Sequence, residues 1–187
     1  MWSTVEYAFA LLRVPAVQLA LLLTLVAGVL LARPVARVLR WSWLGSVCAM
    51  WGLGAALTVT FAGRLGRLDA GWDPQLIRVC LSGPASAWFE PEGILNLVLL
   101  VPFGIGLYLA SRNGTLSSAI IVITALSIEA LQAITGLGLC QPSDVLRNVI
   151  GGLAGVGVGW LLIRILGESV PAYLRVGGRE QQAPDPA

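Results

Sequence analysis

The chain has 187 residues, of which 57% are hydrophobic and only 12% are charged, whereas a soluble domain carries about 25% charged residues. The net charge of +2 includes no Lys and no His, which argues against a nucleic-acid partner and removes the commonest metal ligand. We therefore expect an all-α, polytopic membrane protein, and we assign it no cofactor and no metal site.

Five apolar segments are each close to the roughly 20 residues that a helix needs to cross a bilayer. In chain order they are residues 15–32, 42–62, 93–110, 116–135 and 145–166. Because a soluble helical bundle rarely contains such long runs with so few charges, we predict five transmembrane helices. Pro102 lies within the third segment, where it predicts a kink.

The predicted spans define the organisation of the chain. A short segment, 1–14, precedes two N-terminal helices in 15–62, an extracytoplasmic loop in 63–92 and a three-helix core in 93–166. The tail at 167–187 is polar and contains Pro, a composition that predicts disorder.

The arginines predict the orientation of the chain in the membrane. Only Arg13 precedes the first span, whereas Arg33, Arg37 and Arg40 follow it, which is the reverse of the charge order in a signal peptide. Loops rich in Arg stay on the cytoplasmic side. We expect the N-terminus outside and the C-terminus, with its tail, in the cytoplasm.

The three cysteines fall in two different environments. Cys80 and Cys140 lie in loops on the predicted outer side, and Cys48 lies in the middle of the second span. Since disulfides persist in oxidising compartments, we predict a Cys80–Cys140 bond and an inert thiol at Cys48. The alternative is that all three cysteines are free.

Polar residues of three spans are predicted to meet in one layer near the outer leaflet. Asn96 lies one turn inside the third span, Glu129 and Gln132 lie near the end of the fourth, and Asp144 and Asn148 begin the fifth. Spacings of three and four residues place each pair on one helix face. We predict that these five residues form a ligand-binding site.

The glycines of the fifth span indicate which face of that helix is packed. Gly152, Gly155 and Gly159 continue the stripe that Asn148 begins, with Gly151 beside it. Small residues at this spacing allow close approach of neighbouring helices. The polar end of this span is therefore expected to face other helices rather than lipid.

A carboxylate inside a membrane span costs about 2.5–3.5 kcal/mol and indicates function by default. Glu129, with Asp144 as its partner, is accordingly the candidate catalytic acid or base. The alternative is structural: Glu129 fixes the helix register through hydrogen bonds or through Arg147, and Asp144 is a helix N-cap.

The segments GILNLVLLVPFG, SIEALQ and CQPSDVLRNVIGGLAG resemble the VanZ-like family of bacterial membrane proteins. The matching positions, within residues 92–162, are Asn96, Pro102, Gly104, Glu129, Gln132, Asp144, Asn148, Gly151 and Gly152. Leu139 and Gln141 depart from the pattern, because relatives commonly have an Arg and an acidic residue there. The resemblance implies a place in the bacterial inner membrane and a link to resistance against the glycopeptide teicoplanin.

Three functions are open at this point. The first is a binding or accessory protein of the cell envelope, which takes an amphiphile such as a glycopeptide or a lipid-linked cell-wall precursor and works alone, as a homo-oligomer or in a complex. The second is a membrane-embedded enzyme that uses Glu129 on a lipid-linked or cell-wall substrate. The third is a transporter, which we rank last because a pathway through the membrane needs polar residues in the inner half of the spans as well as near the outer leaflet.

Overall fold

The described residues form a helical bundle with no strands. A computed structural model of the protein describes residues 6, 9–10, 12–61, 91–135 and 141–166. Its helices are α1 (Pro15–Leu39), α2 (Trp43–Phe61), α3 (Pro91–Leu99), α4 (Val101–Ser111), α5 (Gly114–Thr135) and α6 (Pro142–Leu166). Five spans are long and apolar enough to cross a membrane, with α3 and α4 together forming the third. The predicted all-α membrane fold with five spans is confirmed.

The third span is broken into α3 and α4 at Leu100, whose φ is −94° and ψ is 1°. Pro102 has no backbone N–H and so cannot donate to the preceding turn, while the Gly104 N–H donates to the Leu100 carbonyl at 2.9 Å. The third span is therefore interrupted close to Pro102, and the interruption lies two residues before the proline.

Helix α4 lies at the centre of the bundle, between α2 and α6. A Cβ added at Gly45 would overlap the backbone of Ala110, and one at Gly106 would overlap the backbone of Ala49. The residue number rises along α2, from 45 to 49, while the number of the contacting residue in α4 falls, from 110 to 106. The two helices are therefore antiparallel. Glycine allows their backbones to touch, since it has no side chain to separate them.

The glycine stripe of α6 packs against the third span. The backbone of Gly151 faces that of Leu97, and the backbone of Gly155 faces that of Val101. The residue number rises by four in both helices from the first contact to the second, so α6 and the third span run parallel. On α5 it is Ile121 that packs over Gly152. The stripe predicted to be a packed face is indeed used within this chain.

Large apolar side chains cover the outside of the bundle. Leu30, Val38 and Ile165 are 69%, 81% and 72% exposed, and many other Leu, Ile and Val residues of α1, α5 and α6 are exposed as well. Contiguous apolar surface of this extent is rare on soluble monomers. These faces of the helices are therefore the surface that meets lipid.

Ser42 joins the turn after α1 to the end of α4. Its hydroxyl donates to the Leu109 carbonyl at 2.7 Å, and its backbone N–H donates to the Ala110 carbonyl at 3.0 Å. The same hydroxyl accepts the Gly45 N–H at 3.3 Å. One buried side chain thus satisfies backbone groups of two helix ends.

Replacing Ser42 with Ala is expected to lower the free energy of unfolding by about 1–3 kcal/mol, because the Leu109 carbonyl loses a donor in a buried site. Thermal unfolding of the purified protein in detergent measures the effect. The matched control is Ser127→Ala, since the Ser127 hydroxyl is exposed and bonds only the Ile123 carbonyl of its own helix. Equal losses of stability in the two variants would contradict the role assigned to Ser42.

The two ends of the bundle differ in charge. The end at which α1, α4 and α6 finish is here called the arginine end, and within the described residues it carries no acidic side chain. Its arginines are Arg33, Arg37, Arg40, Arg112 and Arg164. Glu129 and Asp144 lie toward the opposite end, with Arg13 and Arg147.

Candidate functional site

Polar side chains are buried where the end of α5 meets the beginning of α6. We call Glu129, Gln132, Gln141, Asp144, Arg147 and Asn148 the polar cluster. Because α5 and α6 are antiparallel, with Ile121 against Gly152, the last two turns of α5 lie beside the first turns of α6. The cluster is therefore at the end of the bundle opposite the arginine end.

Glu129 and Gln132 are the contribution of α5. Glu129 is only 4% exposed, and its Oε2 accepts the backbone N–H of Gln141 at 3.2 Å. Gln132 lies three residues further along the same helix face and is also buried. The carboxylate of Glu129 thus connects α5 to the residue that precedes α6.

Asp144 and Arg147 form an ion pair in the first turns of α6. The Arg147 Nη1 donates to the Asp144 Oδ1 at 2.6 Å, with exposed fractions of 1% for the arginine side chain and 15% for the aspartate. A spacing of three residues brings the two groups onto one side of the helix. Asp144 therefore has a charged partner in addition to its place in the helix's first turn.

Sequence reasoning omitted Arg147 from the predicted site, although it is among the most deeply buried side chains described. It entered as a structural partner for Glu129, and the structure shows it in an ion pair with Asp144. The signal was present, because an ionisable residue inside an apolar span, three residues after an acidic one, is a site candidate by itself.

Two amide oxygens of the polar cluster are buried without a hydrogen-bond partner in the described structure: Oδ1 of Asn148 and Oε1 of Gln141. Asn148 is 1% exposed. Buried acceptors are nearly always paired in proteins, so two exceptions in one cluster require an explanation.

Asn96 lies on α3 beside Leu97, whose backbone faces Gly151. It is therefore within about one turn of Asn148 along the bundle axis, as predicted. Its side chain is half-buried. The structure thus brings Glu129, Gln132, Asp144 and Asn148 into one interface between α5 and α6, with Asn96 on the neighbouring helix at a similar level.

The predicted disulfide cannot be placed, since Cys80 and Cys140 lie outside the described residues. Cys48 is described and has a free, half-buried thiol within α2. The predicted loop at 63–92, apart from its last two residues, and the tail at 167–187 also lie outside the described part.

The polar cluster offers two carboxylates, one guanidinium and three amides, a set suited to recognising a polar head group by hydrogen bonds. Across the described ranges, no three His, Cys, Asp or Glu residues gather in a way that would hold a metal ion. Recognition of a ligand by hydrogen bonding is the chemistry that these carboxylate, guanidinium and amide groups support most directly.

Comparison with known proteins places the chain in a family. No curated protein and no solved structure is significantly similar to it. The model of the family described as VanZ/LLP1 matches residues 19–164. This range contains the whole polar cluster. It also includes the first two spans, whereas the sequence motifs were confined to residues 92–162. The chain belongs to the VanZ/LLP1 family.

Proposed function

We propose that the protein binds an amphiphilic or lipid-linked ligand of the bacterial cell envelope, with the polar cluster holding the ligand's head group. The observation that carries this proposal is the pair of buried amide oxygens, on Asn148 and Gln141, that lack a donor in the described structure. Each such acceptor costs about 1–3 kcal/mol when left unpaired. A bound head group that donates hydrogen bonds would recover this cost.

The same observation indicates the chemical class of the ligand. Amide oxygens accept from hydroxyl and N–H groups, which sugars and peptides carry in large numbers. A glycopeptide such as teicoplanin and a lipid-linked cell-wall precursor both fit this description. The link between the family and teicoplanin resistance makes the glycopeptide the first ligand to test.

The distribution of charge supports an orientation. The arginine end carries five arginines and no acidic side chain among the described residues, and loops with this bias are kept in the cytoplasm. We place the protein in the inner membrane of a bacterium with the arginine end inside. The polar cluster then faces the outer leaflet, where envelope precursors and antibiotics are met.

Replacing Asn148 with Leu tests the proposal, because Leu is of similar size and removes the unpaired acceptor. We expect the free energy of unfolding to stay the same or to rise, since the cost of burying an unpaired oxygen disappears. Affinity for teicoplanin, measured on the purified protein in nanodiscs, should fall about tenfold or more, corresponding to the loss of about one buried hydrogen bond. In cells, the effect of the protein on teicoplanin susceptibility should be lost at equal membrane levels.

Asn113→Ser is the matched control for this experiment. Asn113 lies at the other end of the bundle and caps α5 by accepting the Leu116 N–H at 3.0 Å, a role that Ser can also fill. This control should retain wild-type affinity. Full affinity and phenotype in the Asn148→Leu protein would show that the cluster is only scaffolding.

Glu129→Gln distinguishes binding from the enzymatic alternative in the same assays. If Glu129 is an acid or base in a reaction, the variant should still bind the probe and should accumulate unprocessed lipid-linked precursor. If Glu129 only organises the binding site by accepting the Gln141 N–H, the variant should bind the probe more weakly. Unprocessed lipid-linked precursor should then not accumulate.

A further inference from the structure

The face of α2 that packs on the third span changes from apolar to polar toward the end of the helix. Gly52 lies against the backbone of Phe103, and Ala56, one turn further on, belongs to the apolar core. Thr60 follows after another turn on the same face and is only 8% exposed. Helix α2 therefore buries a hydroxyl group directly beyond the apolar core.

The other spans around this core show the same change at the same end. In each of them, the residue one turn beyond a position that contacts the core, toward the polar cluster, is polar. The pairs are Leu100 and Asn96 in the third span, Ala125 and Glu129 in α5, and Gly152 and Asn148 in α6. The apolar core is thus followed by a polar layer to which four spans contribute.

Thr60 lies at the depth of this layer. It is eight residues beyond Gly52, and Asn96 is seven residues before Phe103. Because α2 and the third span are antiparallel and each residue of a helix advances about 1.5 Å, Thr60 and Asn96 are at nearly the same level. Asn148, on α6, is within about one turn of Asn96 along the same axis.

The hydroxyl of Thr60 can act only as an acceptor toward a ligand. Its hydrogen is used within the helix, where Oγ1 donates to the Ala56 carbonyl at 2.8 Å. A hydroxyl oxygen also has two lone pairs, and these remain able to accept. At the same level, Oδ1 of Asn148 is a buried acceptor that lacks a hydrogen-bond partner in the described structure. The layer therefore presents acceptors from α2 and from α6.

From this shared level, burial and acceptor chemistry, we infer that Thr60 is a further ligand-binding residue, which accepts a hydrogen bond from the head group that the polar cluster holds. The inference rests on the proposed function and adds a requirement to it. The head group has to donate in two directions, toward α2 and toward α6. A sugar ring with hydroxyls on opposite sides meets this requirement, whereas a group with a single donor does not.

Thr58 supplies a matched comparison on the same helix. It is also buried, at 5% exposure, but it lies one turn beyond Gly54, whose nearest neighbour is the side chain of Thr24 on α1. Two residues along a helix correspond to about 200° of rotation, so Thr58 faces α1 while Thr60 faces the third span. The two threonines share residue type and approximate depth and differ in the face that they occupy.

The test measures the teicoplanin affinity of the whole chain in nanodiscs. Thr60→Val removes the hydroxyl and keeps the shape of the side chain, and we expect it to weaken binding about three- to tenfold, the effect of losing one hydrogen bond. Thr60→Ser keeps a hydroxyl and should bind like the wild-type protein, and Thr58→Val should also keep wild-type affinity. The melting temperature of Thr60→Val should change little, because in the described structure the lost hydroxyl bonds only a carbonyl of its own helix. If Thr60→Val does not fold, Thr60→Ala replaces it.

Asn148→Leu, measured alongside, separates this inference from the proposed function. If Asn148→Leu weakens binding while Thr60→Val retains full affinity, the polar cluster binds the ligand and Thr60 does not. Equal losses in Thr60→Val and Thr58→Val would likewise overturn the inference, because they would reflect a general effect on α2. If no variant changes the affinity, or if the wild-type protein binds no teicoplanin, the proposed function fails and this inference fails with it.

Discussion

Replacing Gly151 with Ala is expected to destabilise the protein by at least about 1–3 kcal/mol, the usual cost of forcing extra atoms into a packed core. A Cβ at this position would overlap the carbonyl oxygen of Leu97, which is backbone and cannot rotate away. To accept the methyl group, α3 and α6 have to move apart. That movement would also disturb Asn96 and Asn148, which flank this contact on the two helices.

Gly157→Ala is the matched control, because it lies on the same helix with nothing within 4 Å of the added Cβ. It should be neutral or slightly stabilising, since Ala is a better helix former than Gly by up to about 1 kcal/mol. Thermal unfolding of both variants in the same detergent compares them directly. Equal melting temperatures would mean that the close contact of α3 with α6 contributes nothing to stability.

The spans were predictable because each depends on local composition. The lengths of the apolar segments are enough to locate the five spans. The helix ends in the structure differ from the ends of these segments by a few residues, because some helices continue into polar residues. The first helix continues to Leu39, past the arginines that ended the predicted apolar segment. Arginine is a good helix former, so the charge that ends the apolar segment does not end the helix.

The central position of α4 was not predictable from hydropathy, because all five spans have similar composition. It follows from matched small residues on separate helices, such as Gly106 against Ala49 and Gly104 against Gly152. Such pairing is a property of two segments together, and a single sequence does not show which segments are partners. Likewise, nothing local indicates that Ser42 bonds a carbonyl 67 residues away.

The position of the polar site along the bundle was predictable, but the predicted set of residues was incomplete. Helical spacing and the alternating direction of the spans brought Glu129, Asp144 and Asn148 to one level, which the structure shows. The sequence does not distinguish Arg147 as a structural partner of Glu129 from Arg147 as a member of the site. Its contact with Asp144 depends on the rotamers of two side chains, which spacing permits and does not determine.

Arg147→Gln is expected to be among the most damaging single substitutions in the polar cluster. Removing one partner of a buried ion pair costs about 3–5 kcal/mol, because the other charge remains buried without compensation. Here the carboxylate of Asp144, only 15% exposed, would remain in the first turn of α6. The reverse change, Asp144→Asn, should also be costly, since it leaves the guanidinium of Arg147 at 1% exposure without this carboxylate.

The double variant, Asp144→Asn with Arg147→Gln, separates the loss of the pair from the loss of either charge. Its side chains keep similar shapes and can still form a neutral hydrogen bond, so it should be more stable than the sum of the two single changes predicts. For residues in direct contact the difference is typically 0.5–3 kcal/mol. The free energy of unfolding is measured for all four proteins in one detergent.

The same four proteins also test whether the ion pair takes part in ligand binding. If the ion pair serves only to stabilise the first turns of α6, the double variant should recover teicoplanin affinity together with stability. If the guanidinium or the carboxylate touches the ligand, the double variant should be stable and still bind weakly, as Asn148→Leu is expected to do. Strictly additive losses of stability would instead show that Asp144 and Arg147 are not coupled, and that each is held by other groups of the protein.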